Sequence, residues 1–335
     1  METKMKDIAR EAGVSIATVG RVLHNKGYIS EEARQKVEAA VKKLGYVPNT
    51  IARTLTTKRS GIIGCLVVEN ASNLHQDISK FLMSAAERRG YRLFTMQSRV
   101  SVRDEDELIC RFIGLGVDGL AIISNVYIEQ RQIELLRLRS IPVVAVERPY
   151  FFENVDNICF KDLERAYENT RRMLDMGHKR IAFLGPRPFG QVEADRLEGF
   201  QRAMEDAGIP RSEQLLSLTS NYGISLGREG MEHILAFSQR PTALFCTADI
   251  LAAGAMQVMY SAGLRVPEDI SISGYDNHIA QELAPPINST EPDLDRISEV
   301  TMDLLIKRIK EPDSPARTEY VDMRYIDRGT IRRLT

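Results

Sequence analysis

Cysteine is scarce in this chain of 335 residues, and its four copies are far apart. None of Cys65, Cys110, Cys159 and Cys246 lies three residues from another, which is the C-x-x-C spacing of many metal and redox sites. Burial as a small apolar side chain is therefore the expected role of each cysteine. From this we predict neither a metal ion nor a cofactor.

Long apolar runs are also missing, because no stretch approaches the ~18 apolar residues that a transmembrane helix needs. The chain starts with a charged stretch and no apolar signal region follows it. Hydrophobic residues make up 43% and charged residues 27%, a composition that excludes a disordered or collagen-like chain. We expect a cytoplasmic protein of two to three domains with no membrane partner.

Charge is distributed unevenly along the chain, although the net charge is only −1. Residues 1–60 contain twelve Lys and Arg against six Asp and Glu, whereas the remainder contains 33 against 40. A basic domain of this size indicates a polyanionic partner, and nucleic acid is the commonest one. Because the acidic remainder repels the same partner, we expect binding to be confined to the first 60 residues.

Three short helices are predicted within residues 5–44. The first ends at Gly13, a residue that tolerates positive φ, and Ser15 then caps the second. Ala9, Gly13 and Val19 match the pattern A-x3-G-x5-V, with a small residue at the helix crossing, glycine in the turn and valine in the shared core. This is the pattern of a helix-turn-helix.

The second helix of such a unit enters the major groove of DNA by its first turn. Arg21 is the strongest candidate for reading a base, because a guanidinium matches the O6 and N7 edge of guanine. Ile16 and Ala17 would make apolar contact with a thymine methyl group, and Ser15 and Thr18 would contact phosphates. A solvated or phosphate-contacting role is the alternative for Arg21.

Residues 6–55, including the junction L-G-Y-x-P-N-x-x-A-R-x-L, resemble the DNA-binding head of the lactose-repressor (LacI/GalR) family without gaps. The resemblance implies a hinge helix over about residues 50–56 that pairs across a dimer in the minor groove. Leu55 would push between base steps, and Asn49 and Arg53 complete the predicted DNA-binding residues. A plain linker is the alternative. Gly20 stands where the family usually has serine, so one phosphate contact is expected to be missing.

From Gly61 onward, apolar runs typical of strands alternate with stretches of helical period, which predicts parallel sheets covered by helices. About nine strands are expected, and two sheets in two lobes accommodate them better than one. The predicted domains are a helix-turn-helix head (1–47), a hinge helix and linker (48–60), and a two-lobed effector-binding and dimerisation domain (61–335). The predicted strands include 62–68, 92–96, 119–123, 142–146, 180–184, 215–218, 243–246, 270–273 and a final one at 320–326.

Ligands of open parallel sheets bind at the carboxyl ends of the strands, which in a two-lobed domain meet at the cleft. No G-x-G-x-x-G or P-loop motif follows a predicted strand, so the cleft need not hold a nucleotide. Polar residues at the strand ends, together with Arg196 at a helix start, are the pocket candidates. The strand-end candidates are residues 69–76, 124–125, 147–148, Asp249 and 275–277, and the predicted effector-binding set is His75, Gln76, Asn125, Arg148, Arg196, Asp249 and Asp276.

Segments of the body such as MGHKRIAFLG and LRVPEDISISGYDN resemble the effector domain of the same family, which is similar to periplasmic sugar-binding proteins. The resemblance places Arg196, Asp249 and Asp276 where the family holds its effector, and it implies a small polar molecule such as a sugar or sugar derivative. A capping or interlobe salt-bridge role is the alternative for each residue. The family often shows N-P-F-F where this chain has N-L-H-Q at 73–76, so the aromatic platform is absent and a more polar ligand is expected.

These observations favour a ligand-responsive DNA-binding regulator, most often a repressor of a carbohydrate-related operon, with an all-α head and an α/β body. The alternatives are a sugar-binding receptor without DNA function and an enzyme on the same fold; no metal-ligand cluster supports the enzyme. One helix-turn-helix reads too few base pairs to find a unique site, so a homodimer on pseudo-palindromic double-stranded operator DNA is expected. A dimer is preferred to a tetramer because no heptad stretch follows the final predicted strand.

Overall fold

The computed structural model describes residues 4–24, 28–46, 59–68, 74–98, 102–123, 128–147, 152 and 155–334. The chain forms two compact units, Met1–Ser60 and Gly61–Thr335. The predicted hinge helix, with Asn49, Arg53 and Leu55, lies outside the described residues. Within them, no helix combines the length and the apolar character needed to cross a lipid bilayer.

The first unit contains three helices, α1 (Met5–Ala12), α2 (Ile16–His24) and α3 (Glu31–Leu44). Gly13 ends α1 in the left-handed conformation, at φ 66°. The Ser15 hydroxyl begins α2 by accepting the Thr18 N–H at 3.0 Å, and Ser30 caps α3 in the same way. The buried core of the unit consists of Ile8, Ala9, Ala12, Val19, Val22, Val37 and Ala40.

The second unit begins with lobe 1, an alternation of strands and helices. Its first five strands form a parallel sheet in the order β5-β4-β3-β1-β2. The elements are β1 (Ile62–Val68), α4 (Leu74–Arg88), β2 (Arg92–Ser98), α5 (Val102–Leu115), β3 (Gly119–Ile123), α6 (Gln130–Leu138), β4 (Val143–Val146) and β5 (Val155–Phe160).

Lobe 2 follows directly and repeats this alternation. Its four strands are parallel in the order β7-β6-β8-β9, with short 3₁₀ turns at Arg211–Glu213 and Ala280–Glu282. The elements are α7 (Asp162–Asp175), β6 (Ile181–Pro186), α8 (Gln191–Asp206), β7 (Leu215–Thr219), α9 (Ile224–Leu235), β8 (Ala243–Cys246), α10 (Asp249–Ser261) and β9 (Ser271–Ser273).

The last elements tie the lobes together. The strands β10 (Ser289–Pro292) and β12 (Met323–Ile326) form an antiparallel ribbon. Between them, α11 (Leu294–Lys310) packs on lobe 1, and β11 (Thr318–Val321) joins the lobe 1 sheet beside β5. The chain therefore passes between the lobes three times.

The predicted fold class is confirmed, with two parallel sheets in two lobes and an all-α head. The expected count of about nine strands is wrong, because the described residues form twelve. One missed strand is β5, which carries the polar pair Asp156 and Asn157 in a buried position. The Arg308 guanidinium satisfies Asp156 with two bonds of 2.7 Å, so a polar sequence is tolerated inside the sheet. The predicted final strand divides at Asp322 into β11 and β12, which belong to different sheets.

Candidate DNA-binding helix and effector cleft

The five predicted DNA-binding residues of the head lie at the start of α2. Ile16, Ala17 and Arg21 are exposed, and Ile16 keeps 54% of its surface open to solvent. The hydroxyls of Ser15 and Thr18 lie 2.8 Å apart, so they hold each other at the helix start. This geometry agrees with a helix face that could contact the bases of DNA. The DNA contacts themselves stay predictions.

A small core supports this surface from below. Val19 and Val22 of α2 are buried against Ile8 of α1 and Val37 of α3. A Cβ atom added at Gly20 would meet only the Met5 methyl carbon, at an ordinary contact distance of 3.5 Å. The structure therefore has room for a side chain at Gly20, the position where the family usually has serine.

In the body, Arg196 is the centre of a buried charge network. Its side chain is 3% exposed, and its Nε donates to Asp162 Oδ1 at 2.8 Å. Nη2 donates to Asp276 Oδ1 at 3.2 Å, and Nη1 donates to the Thr247 carbonyl oxygen at 2.7 Å. The guanidinium from α8 thus links the start of α7 to the segments that follow β8 and β9.

Tyr275 completes the surroundings of this guanidinium. The Arg196 guanidinium carbon lies 3.9 Å from the centre of the Tyr275 ring, a cation–π contact. The Tyr275 hydroxyl donates to Asp162 Oδ1 at 3.1 Å. Arg196 is consequently held in one orientation by hydrogen bonds and by stacking.

Lobe 1 contributes a buried pair on its side of the cleft. His75 Nε2, from α4, lies 2.5 Å from Glu147 Oε2, directly after β4, and both side chains are buried. Burial is the largest single effect on the pKa of His75 and would lower it, but the charge and the hydrogen bond of Glu147, together with the charge of Asp276, make the net shift upward. Burial would raise the pKa of Glu147, but His75 makes the net shift downward. The two shifts agree on an ion pair.

Glu147 and Asp276, on the two sides of the cleft, have strained backbones. Glu147 has φ 79° and Asp276 has φ 85°, values that residues other than glycine rarely adopt. Burial raises the pKa of Asp276 to about 6, against the opposing charge of Arg196. Backbone strain of this kind persists only where the surrounding structure enforces it, and it clusters at functional sites.

Asp249 lies beside this network at the first residue of α10. Its Oδ1 accepts the Ser289 hydroxyl at 2.7 Å, and its N–H donates to the Tyr275 carbonyl oxygen at 2.9 Å. Burial raises the pKa of Asp249 to about 7, and the nearby Asp276 charge adds to the increase.

Glu193 lies one turn before Arg196 on α8 and is also buried. The Tyr222 hydroxyl donates to Glu193 Oε1 at 3.1 Å. Burial raises the pKa of Glu193, and the negative charge of Glu147 contributes to the shift. Carboxyl groups from both lobes therefore influence one another across the cleft.

A cavity of about 550 Å³ opens beside Asp276. Apolar side chains such as Leu74, Phe81 and Met323 line part of it. Asp77 and His278, which also line it, form an interlobe pair with Nδ1 and Oδ2 2.5 Å apart. The cleft thus combines a packed charge network with adjoining space of a size that small-molecule sites have.

The structure brings His75, Arg196 and Asp276 into this network and places Asp249 next to it. Gln76 stays outside it and is exposed, because adjacent residues of a helix point about 100° apart. Asn125 and Arg148 lie outside the described residues.

Four residues of the network were not predicted. Asp162 follows β5, so it was missed together with that strand. Glu193 precedes Arg196 by three residues, a helical spacing that could have revealed it. Neither Tyr222 nor Thr247 carried a signal in the sequence.

The pattern G-x-S-x-G occurs at residues 223–227, the spacing of a hydrolase nucleophile elbow. Ser225 is exposed within the first turn of α9, and β7 ends at Thr219, five residues before the helix begins. A nucleophile elbow instead holds its serine on the sharp turn between strand and helix. The geometry of an elbow is therefore not formed here.

Two family models match the chain. The model for bacterial regulatory proteins of the lacI family matches residues 4–49. The model for a periplasmic binding protein-like domain matches residues 170–331. The first range covers the three helices of the head, and the second runs from within α7 through the rest of lobe 2 and the final elements.

Curated relatives match over nearly the whole length. The chain is 31% identical over 319 residues to the HTH-type transcriptional regulator RegA of Clostridium saccharobutylicum, covering 94% of this chain and 96% of the relative. It is 29% identical over 332 residues to the HTH-type transcriptional repressor PurR of Vibrio cholerae serotype O1, covering 99% and 98%.

Solved structures show the same architecture. The lac repressor dimer bound to operator and the anti-inducer ONPF matches with a TM-score of 0.83 at 23% identity, covering 99% of this chain and all of that one. A complex of the transcriptional regulator CelR with cellobiose matches with a TM-score of 0.73 at 25% identity, covering 98% and 100%. The resemblance predicted from the sequence is confirmed: this chain belongs to the lacI family of bacterial regulatory proteins and is a ligand-responsive DNA-binding transcription regulator.

Proposed function

We propose that this protein represses transcription by binding a pseudo-palindromic operator as a homodimer, and that a small hydroxyl-rich effector in the interlobe cleft alters its operator affinity. The observation that carries the effector proposal is the buried network around Arg196, built from residues of both lobes at strand ends. Guanidinium and carboxylate groups are the partners that sugar-like hydroxyls require. The similarity to the CelR complex, which contains cellobiose, supports a sugar-like ligand.

The DNA-binding part of the proposal rests on α2. Its first two turns present Ile16, Ala17 and Arg21 to solvent above a buried core, as a major-groove helix must. Arg21 would read guanine, and Ser15 and Thr18 would contact phosphates. The similarity to PurR, named as a repressor, supports repression as the outcome of binding.

The dimer part is supported by apolar side chains that both lobes expose. Met83 of α4 and Phe94 of the edge strand β2 are 47% and 44% exposed, and these two elements pack together. In lobe 2, Ile224 of α9 and Tyr260 of α10 are also exposed, again on elements that pack together. Exposed apolar groups of this size mark interaction surfaces, and we assign them to the contact between two copies.

The effector would act by changing the arrangement of the two lobes. The Asp77–His278 pair and the Arg196 network both involve segments that a ligand in the cleft must touch or displace. A ligand shifts a conformational equilibrium only by its differential affinity for the two states. An effector that binds one lobe arrangement more tightly would thereby change the population that fits the operator.

The test is a binding titration of the full-length protein with a DNA duplex, which is first selected in vitro from random sequences for binding to this protein. We expect Arg21→Ala to weaken binding to this duplex, and Phe94→Lys to lower both the dimer fraction in sedimentation and the operator affinity. Arg196→Lys should keep operator affinity while reducing the response to sugars. An Arg196→Lys protein that responds like the wild type would remove the network from the effector site.

A further inference from the structure

Another cavity lies at the edge of the lobe 2 sheet opposite to the effector cleft. Its volume is about 490 Å³, a size typical of small-molecule sites. Arg180 and Thr242, which line it, directly precede β6 and β8, and Asp269 precedes β9 by two residues. These three strands are neighbours in the sheet. Because the cleft forms at the carboxyl ends of the strands, a cavity at their amino ends is separate from it.

Three arginines from distant parts of the chain line this cavity. Arg180, Arg240 and Arg332 are all exposed. The Arg180 Nε donates to the Arg240 carbonyl oxygen at 3.1 Å, and the Arg332 N–H donates to the Ser271 hydroxyl at 3.1 Å. The fold therefore brings three guanidinium groups to one cavity and fixes the backbone positions from which they extend.

A buried histidine supports two of the lining segments. His178 Nε2 donates to the Arg332 carbonyl oxygen at 2.9 Å, because a carbonyl oxygen can only accept. Burial lowers the pKa of His178, so the ring is neutral and its Nδ1 accepts the Thr242 hydroxyl at 2.9 Å. The His178 ring thus joins the segment that carries Arg332 to the start of β8.

The three guanidinium groups do not stabilise the ends of nearby helices. Helices α7, α9 and α10 lead into β6, β8 and β9. An arginine that caps a helix donates to its last carbonyl oxygens. Among the residues that the structure describes, none of the three arginines makes such a bond, and none forms an ion pair with a carboxylate. Their charges are therefore available to a bound anion.

Two carboxylates also line the cavity, and one of them is already compensated. Asp269 accepts the Arg265 Nε at 2.9 Å and the Arg265 N–H at 2.8 Å, and Arg265 lies outside the lining. These bonds, with a smaller contribution from the charge of Arg240, lower the pKa of Asp269 to about 2. Glu268, the other carboxylate, is exposed. The lining therefore has three positive charges against one uncompensated negative charge.

We infer that this cavity binds a phosphate group, either as inorganic phosphate or as the monoester of a small molecule. The planar guanidinium of arginine matches phosphate, because it donates two parallel hydrogen bonds to the phosphate oxygens. A phosphate group has enough oxygens to accept from three guanidinium groups, whereas a carboxylate has only two. The excess of positive charge favours a dianion over a neutral ligand. The inference does not depend on the effector site, because no residue of the Arg196 network lines this cavity.

The test is calorimetry of the full-length protein with potassium phosphate at low concentration and constant ionic strength. Low concentrations are required because concentrated phosphate stabilises proteins in general by being excluded from their surface. We expect saturable binding of phosphate. Glycerol 3-phosphate, a small monoester, is titrated in parallel. Tighter binding of the monoester would identify an esterified ligand, tighter binding of inorganic phosphate would identify the free ion, and either result supports the inference.

Variants assign the binding to this cavity. Arg240→Gln and Arg332→Gln should each weaken phosphate binding about tenfold, as expected for the loss of a charge-assisted hydrogen bond. The matched control is Arg333→Gln, which removes the same charge at an exposed position outside the lining and should bind phosphate like the wild type. Glu268→Gln should act in the opposite direction and tighten binding, because it removes the remaining negative charge.

The contrary outcomes are distinct from one another. If neither phosphate nor glycerol 3-phosphate binds saturably, the inference is wrong. Equal losses in Arg240→Gln, Arg332→Gln and Arg333→Gln would show a general attraction to positive charge and would also overturn it. Wild-type binding in both lining variants, with loss of binding in Arg196→Lys, would place the phosphate in the effector cleft, which overturns the inference and leaves the proposed effector site standing.

Discussion

The two functional regions of this protein differ in whether their functional side chains are exposed or buried. On α2, Ile16, Ala17 and Arg21 are exposed and lie above a core that does not include them. In the cleft, Arg196 and Asp276 are buried and hydrogen-bonded to each other, and His75 is buried against Glu147. A change at an exposed residue assigned to DNA should therefore affect binding alone, whereas a change at a buried cleft residue should affect folding and binding together.

The strongest test of this contrast is Arg196→Ala. Removing the guanidinium leaves Asp162 and Asp276 buried without their partner, so we expect the free energy of unfolding of the body to fall by about 3–5 kcal/mol. Urea unfolding of the full-length protein measures the loss. Arg202→Ala on the same helix removes only an exposed pair with Glu198 and should cost less than about 1 kcal/mol. Equal costs for the two variants would show that burial does not distinguish them.

Arg21→Ala should behave in the opposite way. We expect a loss of about 1–3 kcal/mol in binding to the specific duplex, with relaxed preference at one base pair in each half-site. The unfolding free energy should change by no more than about 0.5 kcal/mol, because the side chain is exposed. Anisotropy titrations on specific and random duplexes measure the effect, and Lys36→Ala on α3 is the charge-matched control. A uniform loss on all sequences would make Arg21 a phosphate contact.

The stability of the folded protein should also depend on pH, because the buried carboxyl group of Asp249 in the cleft has a raised pKa. The pKa of Asp249 is about 7 in the folded protein and 3.8 in its ordinary state, so the folded form binds the proton more tightly. Stability from this group is present below about pH 4 and is lost as the pH rises towards 7. We therefore expect Asp249→Asn to gain at least about 1.4 kcal/mol relative to the wild type between pH 5 and 8.

Asp269→Asn provides the control for this pH effect. Its hydrogen bond with Arg265 lowers the pKa of Asp269 to about 2, so its contribution is lost only as the pH falls below 4. The difference between this variant and the wild type should stay flat from pH 5 to 8. A flat profile for Asp249→Asn as well would contradict the raised pKa in the cleft.

The sequence predicts the head and the cleft with different completeness. The head was predictable almost to the residue, because local signals such as Gly13, Ser15 and the spacing from Ala9 to Val19 determine its helices. The lobes followed from alternating apolar runs. The cleft was predicted only in part, because its residues come from distant parts of the chain.

The missed residues show why. Asp162 could be predicted only if β5 were first recognised as a strand. The sequence of β5 does not read as a buried strand, because it contains Asp156, whose charge is compensated by Arg308, 152 residues away. Glu147 was a candidate by its strand end, but its pairing with His75 joins residues 72 positions apart. Long-range compensation of this kind leaves no periodic signal in the sequence.

The smallest expected effect is at Gly20. Alanine has a higher helix propensity by up to about 1 kcal/mol, and its Cβ would meet only Met5 at 3.5 Å. We expect Gly20→Ala to slow amide hydrogen exchange in α2 without changing the unfolding of the body. Faster exchange in α2 would show that the glycine is required where it stands.

The central claim is that DNA binding belongs to the head and the effector chemistry to the body. The most direct measurement compares the full-length protein with residues 61–335 in one low-salt anisotropy titration against the selected duplex. The body carries 33 basic against 40 acidic residues, so we expect no binding above background for the fragment and salt-dependent binding for the full chain. A fragment that binds the duplex as tightly as the full-length protein would contradict the claim.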